Sequence, residues 1–202
     1  MTKQVASDAA PAPTDQTLVE RARGGDREAF ALVYRRHQAS VFQFARALTG
    51  SASMAEDVVQ DVFVLLMGEL DRYDAARGTL KTYLFSIARN LARNKARQVR
   101  RLLSLDDRDD WAVPEDPTAA LAASEELTHL RRCLNALPIG YREVLVLCHL
   151  HELDYADAAV VLNVPIGTVR SRLHRGRQML LDRFRRRDHQ PSSLSAPKRC
   201  VI

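Results

Sequence analysis

One stretch near the C-terminal end concentrates groups able to read and neutralise a polyanion. Between residues 166 and 180, Arg170, Ser171, His174, Arg175 and Gln178 recur at spacings that share one side of a helix turning about 100° per residue. Ile166, Val169, Leu173, Gly176 and Leu180 fall on the other side, with Thr168 and Arg172 at the flanks. A guanidinium pairs bidentately with guanine, and Ser or Gln bonds to base edges. Arg172 and Arg177 are better placed for phosphates. The bland alternative is a charged, solvent-facing helix. Angular segregation, net charge and the turn chemistry upstream all favour a DNA-reading helix.

A second set lies between residues 82 and 101. Tyr83, Ser86, Asn90, Arg93 and Arg97 turn away from an apolar stripe of Leu80, Leu84, Ile87, Ala88 and Leu91. Arg89, Arg93, Lys95 and Arg97 make this helix basic. A third set, Asp57, Gln60, Asp61 and Val64, lies opposite the stripe Val58, Val59, Val62, Phe63 and Leu66.

Covalent chemistry is not suggested anywhere. Ser/His/Asp clusters, phosphate loops and metal-ligand spacings are missing from the sequence. The run Cys148-His149-Leu150-His151 scatters its ligands around a helix and reads as ordinary core and surface. The expectation is a protein that is not an enzyme, with no catalytic residue, metal or cofactor.

The elements that position these sets follow from local signals. Asp154 can cap a short helix carrying Ala158, Ala159 and Leu162, with Asp157 in its first turn. Asn163 tolerates the left-handed conformation of a tight turn, and Pro165 presets the next helix. Together these spell a helix–turn–helix. Upstream, Asp26 can cap a helix bearing Phe30, Val33 and Tyr34, and Ser53 to Glu56 reads as a capping box. Residues 71–79 read as a loop around Arg77-Gly78, followed by a helix over about 82–101.

Charge is distributed in blocks. Residues 81–101 hold seven basic groups and no acid, 106–126 eight acids against Arg108, and 170–187 eight arginines against Asp182. Two basic blocks around an acidic one point to two polyanion-binding surfaces with an anionic connector. Low Gly, Pro and aromatic content favours an all-α fold. The expected division is a disordered 1–15, a helical domain over 16–102, a flexible acidic linker over 103–124 containing Trp111, a helix–turn–helix domain over 125–187, and a mobile tail over 188–202. Three scattered cysteines suggest a reducing compartment. The N-terminus lacks an apolar signal core and no apolar run is long enough to span a bilayer, so a cytoplasmic protein without membrane insertion is expected.

At this point the chain resembles a family. Residues 165–173, Pro-Ile-Gly-Thr-Val-Arg-Ser-Arg-Leu, preceded by Leu137-Pro138 and by Tyr141 to Leu145, look like region 4 of extracytoplasmic-function sigma factors. Glu56 to Phe63 resembles region 2.2, Thr82 to Asn90 resembles region 2.3, and Leu18 to Asp26 fits the family's opening helix. The similarity spans about residues 16–185. It implies two small helical domains, a region 2 bundle and a region 4 helix–turn–helix. It also implies a chain that binds core RNA polymerase, directs it to promoters and is often held by an anti-sigma factor.

By motif match, Asp57, Gln60, Asp61 and Val64 would dock on the clamp helices of the largest polymerase subunit. Tyr83, Ser86, Arg89, Asn90, Arg93 and Arg97, walled by residues 73–79, would engage the melted −10 element and hold a flipped base, Asn90 serving its edge and Tyr83 its face, with Arg89, Arg93, Lys95 and Arg97 on phosphates. Asn90 as a plain surface residue stays open as the alternative. Thr168, Arg170, Ser171, Arg172, His174, Arg175 and Gln178 would read the −35 duplex. The acidic residues Asp106, Asp107, Asp109 and Asp110 would thread toward the polymerase's active centre. The free chain would be a monomer whose modules either pack together or stand apart. The family often has Glu and a larger aliphatic at Ala156 and Ala158, Glu at Val160, Gly at Asn163 and Trp at Tyr83. A stand-alone helix–turn–helix regulator, or a regulator that sequesters a partner protein, are the competing readings.

Overall fold

The computed structural model describes residues 12–102 and 125–186. The acidic linker with Trp111, the first residues and the C-terminal tail lie outside the described residues. Four helices form the N-terminal module: α1 (Asp15–Arg23), α2 (Arg27–Thr49), α3 (Ala52–Gly68) and α4 (Leu80–Leu102). The C-terminal module contains α5 (Glu125–Asn135), α6 (Ile139–Leu145), α7 (Tyr155–Leu162) and α8 (Ile166–Arg186).

Caps set most boundaries. Asp26 accepts from the backbone N–H groups of Glu28 and Ala29 and starts α2, as its type predicts. For α3 the expectation is corrected. The cap is Ser51, extended at φ −110° and ψ 131°, with its side chain accepting from Met54 N; Ser53 is already helical. Two serines sit two residues apart, and only the one in extended backbone can reach back to an orphan N–H. Thr79 Oγ1 accepts from Thr82 N at 3.1 Å, so α4 begins earlier than 82.

The loop over 71–79 contains two short 3₁₀ turns, Leu70–Arg72 and Ala75–Arg77. Arg23 donates from Nε and Nη2 to Leu70 O, at 3.0 and 2.8 Å, and also to Tyr73 O. Tyr73 donates its hydroxyl to Gly78 O at 3.3 Å. A segment of mostly exposed side chains is thereby pinned to α1 through its carbonyls.

The N-terminal core is built from Leu18, Val33, Val41, Phe44, Val58, Val62, Leu66, Leu80, Leu84 and Ala88. All five apolar positions of the α3 stripe are buried, as their spacing predicts. On α4 the stripe is wider than its sequence suggests. Phe85 is fully buried, whereas Ile87 and Leu91 are half-buried.

The helix–turn–helix forms as its turn residues dictate. Asp154 accepts from Asp157 N at 2.7 Å, and Asn163 is left-handed at φ 51° and ψ 51°. Pro165 O accepts from Thr168 N at 2.8 Å. Val169, Leu173 and Gly176 of α8 are buried. Ile166, the first residue of α8, is corrected to exposed and Leu180 to half-buried. Between α6 and α7 a π turn over Val146–Leu150, closed by His151 N to Val146 O at 3.1 Å, carries His151 inward.

The two modules pack together. α7 lies along α4, and α6 meets α2. This is where Phe85 finds cover: its ring centroid is 4.7 Å from that of His151, and Phe44 is 4.9 Å from Phe85. Burial, and secondarily Lys81, pushes His151 down to about 4, so the ring is neutral inside this aromatic cleft.

Candidate nucleic-acid interface

α8 presents one polar face. Arg170, Ser171, His174, Arg175 and Gln178 are all exposed, while Thr168 and Arg172 are half-buried at its edges. The geometry sorts these groups further. The Arg170 guanidinium lies 6.0 Å from the centroid of the Tyr155 ring, a cation–π contact that steadies its stem. Ser171 Oγ donates to Thr168 O at 3.1 Å. Arg172 leans back on α6, where a Cβ at Gly140 would meet its Nη1 at 3.5 Å. Arg177 donates from Nε to His149 Nε2 at 2.8 Å. Burial, then Arg177, pushes the His149 pKa down, which keeps its Nε2 an acceptor. Arg175, His174 and Gln178 remain turned outward. The result is a convex helix with free donors along its centre and braced guanidiniums at its sides, the shape and chemistry that a major groove accepts.

Residues 83–97 divide differently from the sequence expectation. Asn90 and Arg97 are exposed, and Tyr83 and Ser86 half-buried. The Tyr83 ring lies 5.6 Å from that of Tyr73, so an aromatic pair closes one end of this face. Ser86 Oγ is turned back to Thr82 O at 2.9 Å. Arg89 and Arg93 do not project freely: Arg89 Nε sits 3.0 Å, and Arg93 Nη1 3.5 Å, from Glu143 Oε1 of the other module. Lys95 also has a protein partner, at 3.0 Å from Asp61 and 3.8 Å from Asp57.

That last contact gives the acidic face of α3 a job that periodicity does not reveal. Asp57, Gln60 and Val64 are exposed and Asp61 half-buried; Lys95 of α4 bridges the two carboxylates. Sequence reasoning also misses what lies beside it. Phe30, Tyr34, Phe42, Gln60, Val64 and Met67 line an open groove of about 730 Å³ between α2 and α3. Val64 and Met67 are more than half exposed at its rim. The legible signal is the spacing of Phe30, Tyr34 and Phe42, a second apolar row on α2 beyond the one its core needs. Exposed apolar area of this kind marks a protein-binding surface. Among the described residues no cluster of His, Cys, Asp or Glu is arranged to hold a metal ion, and no helix is long and apolar enough to cross a membrane.

Two helical modules, one with an exposed polar helix face shaped for a major groove and one with an aromatic-and-amide face beside an open apolar groove, fit a class of DNA-directed transcription protein. Comparison with known proteins narrows it. The family described as Sigma-70 region 2 matches residues 33–102, and Sigma-70, region 4 matches residues 127–180. The ECF RNA polymerase sigma-E factor of Escherichia coli K12 is 34% identical over 178 residues, covering 83% of this chain and 92% of that protein. ECF RNA polymerase sigma factor SigW of Bacillus subtilis is 29% identical over 181 residues, covering 83% and 95%.

Two solved structures share the fold at a TM-score of 0.65 and 28% identity. One is the sigma factor RpoE in complex with the anti-sigma factor NepR from Bartonella quintana, covering 77% of this chain and 96% of that one. The other is CnrH in complex with the cytosolic domain of CnrY, covering 88% and 99%. The chain belongs to the extracytoplasmic-function sigma factors of the sigma-70 family. It is an alternative sigma factor for promoter-specific transcription initiation.

Proposed function

We propose that the chain divides promoter recognition among three surfaces and does no covalent chemistry itself. The −35 duplex is read by α8 through Arg170, Ser171, His174, Arg175 and Gln178, with Thr168 and Arg172 on the phosphates beside it. The −10 element is engaged by α4 through Tyr83, Ser86, Arg89, Asn90, Arg93 and Arg97. The α3 face of Asp57, Gln60, Asp61 and Val64 takes the clamp helices of the largest subunit of core RNA polymerase. The observation that carries the reading is the division of α8, with Val169, Leu173 and Gly176 buried and all five central polar residues exposed. The protein works in the cytoplasm as a monomer when free, divided at the boundaries its sequence suggests. The solved relatives with anti-sigma factors bound support a partner of that kind for this chain too.

The polymerase surface is tested apart from the DNA. Val64→Arg places a long cation on an exposed position and leaves the core untouched. It is expected to weaken association with purified core polymerase roughly tenfold or more, about 1.4 kcal/mol, with an unchanged melting temperature. Unaltered affinity, measured by interferometry, would move the polymerase contact off α3.

A further inference from the structure

Arg23 is the last residue of α1, and a cation there ordinarily does no more than complement the exposed carbonyls of its own helix. Here the side chain leaves that helix. Nε and Nη2 both donate to Leu70 O, at 3.0 and 2.8 Å, and Nη2 donates again to Tyr73 O. These acceptors lie 47 and 50 positions along the chain. The Asp71 carboxylate is 3.7 Å from Nε but 97% exposed, so the ion pair adds little and the carbonyl bonds make the contact.

α1 is a firm base for this reach. Leu18, Val19 and Ala22 bury it, and at its other end Asp15 holds His37 Nε2 at 2.9 Å and Arg36 Nη1 at 2.5 Å. The segment that Arg23 grips has little core of its own. Within residues 71–77 only Tyr73 is buried. Tyr73 is therefore the point that sets the position of the loop. Its carbonyl is held by Arg23, its hydroxyl donates to Gly78 O at 3.3 Å, and its ring centroid is 5.6 Å from that of Tyr83. Gly78, at φ 148°, supplies a backbone conformation that side-chain-bearing residues rarely adopt.

We propose that Arg23 is a positioning residue for −10 recognition: through the Leu70 and Tyr73 carbonyls it fixes the Tyr73–Tyr83 pair, and with it the base preference of the α4 face. This rests on the assignment of Tyr83 and Asn90 to the −10 element. The physical reason is tolerance. A ring and an amide choose among bases only when held to a fraction of an ångström. Tyr83 and Asn90 share one helix, but the ring that backs Tyr83 comes from the loop. A planar guanidinium with donors in fixed directions holds two carbonyls in one register, which a single ammonium does not. Water can take over at Leu70 O, where the contact is exposed, so the module stays folded while the loop shifts.

The test uses holoenzyme assembled from the full chain and core RNA polymerase, transcribing a library randomised across the −10 element. Arg23→Met keeps the stem and removes every donor. It is expected to flatten base preference at one or two −10 positions roughly fivefold, with the affinity for core unchanged. Arg23→Lys should restore part of the preference. Asp71→Asn, which removes only the exposed carboxylate, should leave the profile as it is. Tyr73→Phe frees the loop from Gly78 with the ring in place. It is expected to flatten the same positions, and it keeps the proposal open to test if Arg23→Met fails to fold.

A −10 profile kept by both Arg23→Met and Tyr73→Phe, yet lost with Tyr83→Ala, would overturn the positioning role alone. An equal loss on every −10 sequence would overturn it too, by showing that Arg23 only stabilises the fold. A profile that survives Tyr83→Ala and Asn90→Ala would remove the −10 assignment, and the role of Arg23 with it.

Discussion

Arg142→Leu is expected to lower stability by about 3–5 kcal/mol, enough to leave the C-terminal module largely unfolded at physiological temperature. Arg142 is almost completely buried. Its Nη2 donates to Leu137 O at 2.8 Å and to Asn135 O, and Nη1 to Leu48 O at 3.4 Å. Those carbonyls end α5, form the turn before α6, and close α2 in the other module. A guanidinium reaches all three because its donors fan out in one plane. Burial pulls its pKa down to about 10, opposed by the neighbouring Glu143 carboxylate, so the cation persists at neutral pH.

Leucine would leave carbonyls dry at about 1–3 kcal/mol each. Arg142→Lys is expected to recover only part of the loss, since one ammonium cannot span the set. Urea denaturation followed by circular dichroism measures it. A loss under about 1 kcal/mol would mean that water replaces the guanidinium, and that Arg142 does not organise the module.

Arg175→Ala carries the largest expected effect on function. Arg175 is exposed at the centre of the α8 polar face, unlike Arg172 and Arg177, which are braced by Gly140 and His149. A bidentate pair with guanine contributes about 1–3 kcal/mol of discrimination, so transcription from the best promoters should fall between roughly fivefold and a hundredfold. The stability of the chain should not change, because no packing is lost. Arg177→Ala, which removes a phosphate partner, should instead weaken all sequences alike and flatten the salt dependence. Parallel assays on a randomised −35 library separate these outcomes. Equal losses on every sequence for Arg175→Ala would show that it only neutralises phosphate.

What the sequence disclosed, and what it hid, follows from the range of the interactions. The helix–turn–helix was legible because its determinants are local: Asp154, Asn163 and Pro165 each act within four residues of themselves. The α3 stripe was legible because it meets a single core. The cap at Ser51 was not, because choosing between two serines depends on backbone φ and ψ rather than residue type. Periodicity gives α4 one buried side and one polar side, yet it has a third side. Phe85, Arg89 and Arg93 are covered by residues fifty or more positions away, and periodicity within one helix cannot reveal a partner so distant. Lys95 escaped for a related reason: a cation in a basic block is readily assigned to phosphate, although α3 supplies two carboxylates. Candidate sites on one element were therefore readable; the contacts that hold them in place lie between elements.

The most direct test of the account is run-off transcription with purified core RNA polymerase, this chain and a library of promoter fragments. Transcripts that start at defined promoters only when the chain is present, and that weaken with Asn90→Ala as well as Arg175→Ala, are the predicted result. A chain that binds promoter duplex tightly yet neither associates with core polymerase nor yields a transcript would contradict it.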